Sequence, residues 1–239
     1  FAVLGKPLNR SNLFAFGFNS QNDARCPGFA VHDDGACAAF TFADGFPSRI
    51  RRLTADGRLE TAVEASGSNG LALGTDGALV AATHDRKELS RFDLVDGSRM
   101  RIVGEFQGQP FNSPNDLAIA RDGTIWFTDP PYGILSNREG HQAVPEQAAN
   151  HVFCFNPATG VLTAASAWVQ EPNGLAFSPD ESLLYVSDTS AALRTDGSGH
   201  HHIAVFDVAA DNSLHNPRVF AEVSPGLSDG FRVDTQGWV

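Results

Sequence analysis

Five stretches of this chain open on residues that share a phase, and most of those residues carry a side-chain oxygen. Pro27, Asn69, Asn115, Asn173 and Asp229 begin the phrases Pro27-Gly-Phe-Ala-Val-His-Asp-Asp-Gly35, Asn69-Gly-Leu-Ala-Leu-Gly-Thr-Asp-Gly77, Asn115-Asp-Leu-Ala-Ile-Ala-Arg-Asp-Gly123, Asn173-Gly-Leu-Ala-Phe-Ser-Pro-Asp-Glu181 and Asp229-Gly-Phe-Arg-Val-Asp-Thr-Gln-Gly237. Amide and carboxylate oxygens are hard donors, suited to Ca2+ or Mg2+. A single Asn at such a place is better accounted for by turn chemistry, since its side chain bonds its own backbone. Recurrence of Asn and Asp at one phase argues for more, because both are poor strand residues and a turn residue need not keep its phase.

The elements that would position these residues follow from the same phrases. Apolar residues fill the third and fifth places, a Gly- or Asp-rich turn follows, and a second β-prone run comes next, as in Thr124-Ile-Trp-Phe-Thr128 and Leu183-Leu-Tyr-Val-Ser187. That is a hairpin signal. Further runs at His151-Val-Phe-Cys-Phe155 and Ile203-Ala-Val-Phe-Asp207 bring each repeat to about four short strands, the content of one propeller blade. A repeat of roughly 40 to 50 residues without helical periodicity predicts radial blades, whose equivalent positions face one central channel. The longer repeats carry insertions at Tyr132 to Asn150 and Ala191 to His202, read as loops at one end of the propeller. Within the second, His200-His201-His202 is either a metal-binding tract or plain solvated polarity, and the latter is the expectation for a loop before a strand.

Bulk properties agree with a β fold. Eighteen Phe against one Met, with 23 Gly and 13 Pro, favour a turn-rich architecture packed by aromatic rings. A formal net charge of −11 repels nucleic acid and anionic membrane surfaces and suits cations or neutral small molecules. Cys26, Cys37 and Cys154 have neither disulfide nor zinc spacing and read as small buried apolar residues. There is no Gly-x-Ser-x-Gly elbow and no Gly-rich phosphate loop. No apolar run is long enough to span a bilayer, so the expectation is a soluble protein, cytoplasmic or periplasmic.

Ser113-Pro-Asn-Asp116 with Trp126-Phe-Thr-Asp-Pro-Pro-Tyr-Gly133, Pro172-Asn-Gly-Leu175 with Tyr185-Val-Ser-Asp188, and Ser228-Asp-Gly230 resemble motifs of the gluconolactonase / SMP-30 / luciferin-regenerating family. The resemblance runs from about Asn69 to Val239. It implies an all-β, six-bladed β-propeller whose axial divalent metal polarises a sugar lactone and activates water. On matching positions Asn173 and Asp229 would be metal ligands, and Asn115 a ligand or a substrate contact with a catalytic part. Asp229, the only carboxylate among them, would also serve as general base. His84 lies where relatives place a polar residue near the substrate mouth, and Tyr132 either lines the pocket or serves as a structural aromatic. Asp129 and Asp188 are expected to bond backbone groups between strands.

The resemblance implies Ca2+ first, with Mg2+, Zn2+ or Mn2+ as alternatives, and a small-molecule lactone as partner. Two departures stand out. Where family members carry a first-blade ligand Glu, this chain has Arg25 by motif or Pro27 by repeat phase. The family also continues past Gly-Trp-Val, so residues 1–239 are expected to form one propeller domain, incomplete at its C-terminus and covering about five blades. The competing readings are a non-catalytic ligand-binding propeller and a phosphotriesterase- or arylesterase-like hydrolase on the same architecture.

Overall fold

A computed structural model describes residues 29–31, 38–42, 47–53, 58–74, 76, 78–194 and 196–239. Four four-stranded antiparallel sheets follow one another along the chain, each built from four consecutive strands. The first holds β1 (Phe29–Val31), β2 (Ala38–Phe42), β3 (Arg49–Leu53) and β4 (Leu59–Val63). The second holds β5 (Ser68–Leu73), β6 (Leu79–Thr83), β7 (Glu88–Phe92) and β8 (Arg99–Val103). A small ribbon of β9 (Glu105–Phe106) and β10 (Gln109–Pro110) leads to the third, with β11 (Leu117–Ile119), β12 (Ile125–Asp129), β13 (His151–Asn156) and β14 (Val161–Ser166). The fourth holds β15 (Pro172–Phe177), β16 (Leu183–Asp188), β17 (His202–Val208) and β18 (Leu214–Glu222). This is a propeller organisation, with each of the first four phrases entering the first strand of its sheet.

Alternation along the strands explains why the sheets stack face to face. In β12, Ile125 and Phe127 pack toward the second sheet with Val80, Ala82 and Leu89, while Trp126 turns to the other face and packs with Leu184, Val186 and Phe206 of the fourth. A strand buried on both faces needs apolar residues at every position, and β12 reads Ile-Trp-Phe for that reason. The same division recurs in β6, where Leu79 and Ala81 face Ile50 and Val63 of the first sheet. Phe111, Phe127 and Phe153 fill the layer between second and third sheets, with ring centroids 5.1 to 5.2 Å apart. Burying one such ring is worth about 1.5 to 3 kcal/mol. Cys154 is buried and free in the next layer, as expected; Cys26 and Cys37 lie outside the described residues.

Among the described residues the fifth phrase has no strand pairing, yet its apolar side chains do the same work. Phe231 and Val233 pack against Tyr185, Ile203 and Val205, covering the far face of the fourth sheet. The turn Asp at the eighth place of three phrases closes each hairpin. Asp76, Asp122 and Asp180 accept the N–H two residues on, at 3.0, 2.9 and 3.1 Å.

The insertions depart from the all-loop expectation at one end each. Tyr132–Leu135 forms a single helical turn, α1, after Pro130-Pro131, with Ile134 N–H donating to the Pro131 carbonyl at 2.9 Å. Ser190–Ala192 forms a 3-10 turn. Proline at a helix start supplies the required φ without losing a useful donor, which the loop reading overlooked. Among the described residues no helix is long and apolar enough to cross a membrane.

Candidate functional site

The first residues of successive phrases are joined into a belt through their backbone. Gly70 N–H donates to the Asn115 carbonyl at 2.7 Å. Asn115 N–H donates to the Thr128 carbonyl at 2.9 Å, and the Thr128 hydroxyl donates to the Asn173 carbonyl at 2.7 Å. Ser187 continues the belt, its hydroxyl donating to the Asp229 carbonyl at 3.0 Å. The glycines after Asn69 and Asn173 make the approach feasible. A Cβ on Gly70 would stand 2.6 Å from Asp116 Cα, and one on Gly174 would stand 2.4 Å from the Asp229 carbonyl oxygen. Gly in these phrases therefore serves close packing between neighbouring sheets, and the Asn beside it is carried to the sheet's inner edge.

Beside the belt, the inner strands border an open hollow of about 340 Å3. Leu71, Leu117, Leu175 and Phe177 line it together with Arg232 and Val233 of the fifth phrase, so one channel is shared by all described phrases from the second to the fifth. Arg232 reaches Asp116 at 3.4 Å across the belt.

The Asn69 and Asn173 amides bond side chains of other segments rather than their own turns. Asn69 Nδ2 meets His84 Nε2 at 3.3 Å, and His84 Nδ1 meets the Glu139 carbonyl at 2.9 Å. A carbonyl accepts only, so Nδ1 carries the proton and Nε2 receives the amide N–H. Burial pushes the His84 pKa down to about 4, which keeps this tautomer neutral. Asn173 Nδ2 donates to Thr189 Oγ1 at 3.3 Å, and the same Thr189 oxygen bonds the Tyr132 hydroxyl. In both amides the nitrogen is engaged from behind, which leaves Oδ1 as the atom free of these partners. Asn115 is buried beside them, 6% exposed.

Charge gathers at the same place. Burial raises the Tyr132 hydroxyl above the usual phenol range, and the carboxylates of Glu171, Asp229 and Asp188 add to the effect. Glu139 is raised by burial and by Asp229, against the pull of Arg138. Asp229 is thus within electrostatic reach of both Tyr132 and Glu139.

Of the residues singled out from sequence, Asn115, Asn173 and Asp229 share the belt, Tyr132 joins Asn173 through Thr189, and His84 joins Asn69. His84 is buried with both ring nitrogens engaged, so it supports Asn69 from behind. Arg25 and Pro27 lie outside the described residues. Asp129 and Asp188 do bond backbone, as expected: Asp129 accepts N–H groups of Asn112 and Ser113, both at 2.8 Å, and Asp188 accepts those of Gln170 at 2.9 Å and Ser190 at 3.0 Å. Sequence reasoning missed Thr128, Ser187 and Thr189. The first two sit one place before a strand-end Asp in equivalent strands, a repeated hydroxyl that marks the belt.

A family model described as the SMP-30/Gluconolactonase/LRE-like region matches residues 32–239. The chain belongs to this SMP-30/gluconolactonase/LRE-like family. It is 36% identical to a gluconolactonase of Zymomonas mobilis subsp. mobilis over 180 residues, which cover 72% of this chain and 48% of that relative. A lactonohydrolase of Aspergillus oryzae, oryL, is 36% identical over 106 residues, 44% of this chain and 24% of the relative. The chain thus spans about half or less of the curated relatives it matches. Among solved structures, a gluconolactonase from Xanthomonas campestris superposes with a TM-score of 0.79 at 38% identity, covering 90% of this chain and 69% of that one. A regucalcin from Agrobacterium tumefaciens, described as a calcium-binding protein, has a TM-score of 0.64 at 20% identity over 88% of this chain and 64% of its own, a likeness of fold. For a member of the SMP-30/gluconolactonase/LRE-like family, the belt identifies which residues of this chain hold the inner edge together.

Proposed function

We propose that this chain is a gluconolactonase-like lactonase that works at the belt end of its channel with a divalent cation held by Asn115, Asn173 and Asp229. The observation that carries the reading is the belt itself, which ties these three residues in sequence at the inner edge of neighbouring sheets. The donor set fits a hard cation, Ca2+ before Mg2+, Zn2+ or Mn2+, because amide oxygens and one carboxylate are offered while the Asn69 and Asn173 nitrogens are turned away. A cation bound there would draw charge from a lactone carbonyl and stabilise the negative charge that develops on its oxygen.

The chain's own groups supply the proton movements. Asp229 accepts the proton of the attacking water as the new acyl C–O bond forms. The same proton passes to the ring oxygen when the old acyl C–O bond breaks, giving an open hydroxy acid. Tyr132, whose raised pKa keeps its hydroxyl protonated near neutral pH, lines the substrate side and orients Thr189. His84 is a positioning residue acting through Asn69. The reading treats residues 1–239 as one propeller domain on a six-bladed plan, with a small neutral lactone as partner.

Proton release from glucono-δ-lactone, with and without EDTA, tests the proposal. The expected result is hydrolysis that chelation abolishes and added Ca2+ restores. Activity indifferent to chelation overturns the cation's part. Absence of turnover on a broad panel of lactones would favour the ligand-binding propeller, the reading that Arg25 or Pro27 in place of a ligand Glu supports; turnover of aryl esters or phosphotriesters alone would favour the other hydrolases.

A further inference from the structure

We infer that Asp188, His200 and His202 form a second metal site, distinct from the belt, that takes a first-row transition ion such as Zn2+ and staples the 190–201 insertion to the end of β16. The placement follows from strand register. Asp188 on β16 pairs directly with His202 on β17, so both side chains stand on one face of the fourth sheet. His200, two residues before His202 and just outside the strand, lies on that face against Asp188 and His202, while His201 between them turns away to the Val223 carbonyl at 2.7 Å. The solvated-loop expectation for the histidine tract therefore fails at His202, which is 4% exposed.

The three side chains each offer a ligand atom, all within 4.8 Å of one another. His200 Nδ1 and Asp188 Oδ2 are 3.2 Å apart, close to the roughly 3.3 Å that separates neighbouring ligands of a tetrahedral ion with bonds of about 2.0 to 2.1 Å. The imidazoles of His200 and His202 stack on each other, with centroids 4.8 Å apart and planes 26° from parallel. Among the described residues His202 Nε2 is buried and has no hydrogen-bond partner. A buried ring nitrogen left unsatisfied is costly, and a cation is the group that would satisfy it where a carboxylate and a second imidazole already converge.

The surroundings suit the assignment. Asp188 is aimed by backbone N–H groups of Gln170 and Ser190, the kind of outer support that orients a metal-binding carboxylate. His200 is held by its own N–H, which donates to Ser190 Oγ at 2.7 Å, and by its carbonyl, which accepts from Ala191 at 3.0 Å. Two imidazoles and one carboxylate, with a fourth position left for water, match a transition ion, whereas Ca2+ prefers six to eight oxygens. Donor chemistry thus sorts the two sites. Because Asp188 adjoins Thr189, which touches both Tyr132 and Asn173, an ion here would stiffen one wall of the belt end.

Cobalt(II) is the probe, because its visible absorption reports coordination independently of activity. With excess Ca2+ present, the full chain is expected to take up one equivalent of Co2+ with tetrahedral-type bands, displaced by Zn2+. His200→Ala, at a side chain 44% exposed and therefore safe for folding, should weaken uptake by about 100-fold or more, since even outer-shell partners cost roughly 10- to 100-fold. Asp229→Asn should leave it unchanged, which keeps this test separate from the lactonase proposal. Zn2+ should also slow proteolysis within residues 190–201 of the parent and not of His200→Ala. Co2+ uptake that is unaltered in His200→Ala, or absent up to millimolar concentration in the parent, overturns the site.

Discussion

The third and fourth sheets carry the same pair of residues at the same place and use it differently. Asp129 ends β12 and pairs with His151, just as Asp188 ends β16 and pairs with His202. Both carboxylates accept backbone N–H groups of the chain entering their sheet. Two places before His151, however, stands Ala149, where the fourth sheet has His200. His151 packs its ring on Phe153 at 5.2 Å and Phe106 at 6.4 Å, whereas His202 lies beside a second imidazole. Burial pushes Asp129 up to about 7 despite its two donors. For Asp188 burial also pushes upward, but the backbone and side-chain donors of Gln170, Ser190 and Glu171 outweigh it and hold the carboxyl below the usual range. An aspartate at a strand end is thus a blade-closing device by default, and a single added histidine gives it a different use.

The largest effect that would separate chemistry from blade closure is expected away from both strand ends. Asp229→Asn should lower lactone turnover by about 100-fold or more, as loss of a general base does, and Asn69→Ala by much less. Initial rates with a Ca2+ titration decide this; equal losses would place the chemistry elsewhere. Next in size, Asp129→Ala strands two buried N–H groups and should cost about 2 to 4 kcal/mol by denaturant unfolding, while His200→Ala stays within about 0.5 kcal/mol without metal.

Acid should then separate the two aspartates by sign. Asp129 has a folded pKa above its unfolded one, so its contribution to stability is full below about pH 4 and is lost as pH rises toward 7. Asp188 is lowered, so its contribution is present above the ordinary value of 3.8 and is lost as pH falls below it. In EDTA, the stability deficit of Asp129→Asn should shrink between pH 4 and 7, and that of Asp188→Asn should shrink only below about 4. Parallel profiles would remove the distinction. The smallest and most specific change is Ala149→His, which supplies the missing imidazole to the third sheet. A second equivalent of Co2+, bound roughly 10- to 100-fold more weakly than the first for want of a tuned outer shell, is the expected gain.

Much of the fold was legible because the nine-residue phrase is local chemistry. Apolar third and fifth places, an Asp turn and a second β run specify a hairpin within one window, and repetition specifies blades. The column Asn69, Asn115, Asn173 and Asp229 was legible for the same reason. His202 was misread as solvated because the residues between β16 and β17 give no sign of which face will be covered. The helical turn at Tyr132–Leu135 went unseen because four residues carry no period to detect.

By itself, then, the amino-acid sequence determined the strands, their turns, and the phase at which oxygen-bearing side chains recur, since all of these depend on neighbours a few residues away. Tertiary structure decided which atoms meet. The belt needs Thr128 and Ser187 to reach carbonyls 45 and 42 residues on, and the glycines matter only because the next phrase's backbone lies within 3 Å of where a Cβ would stand. Whether Asp188 faces His202 or slips past it is likewise a matter of register, and register is set by the packing of whole sheets on one another rather than by either residue.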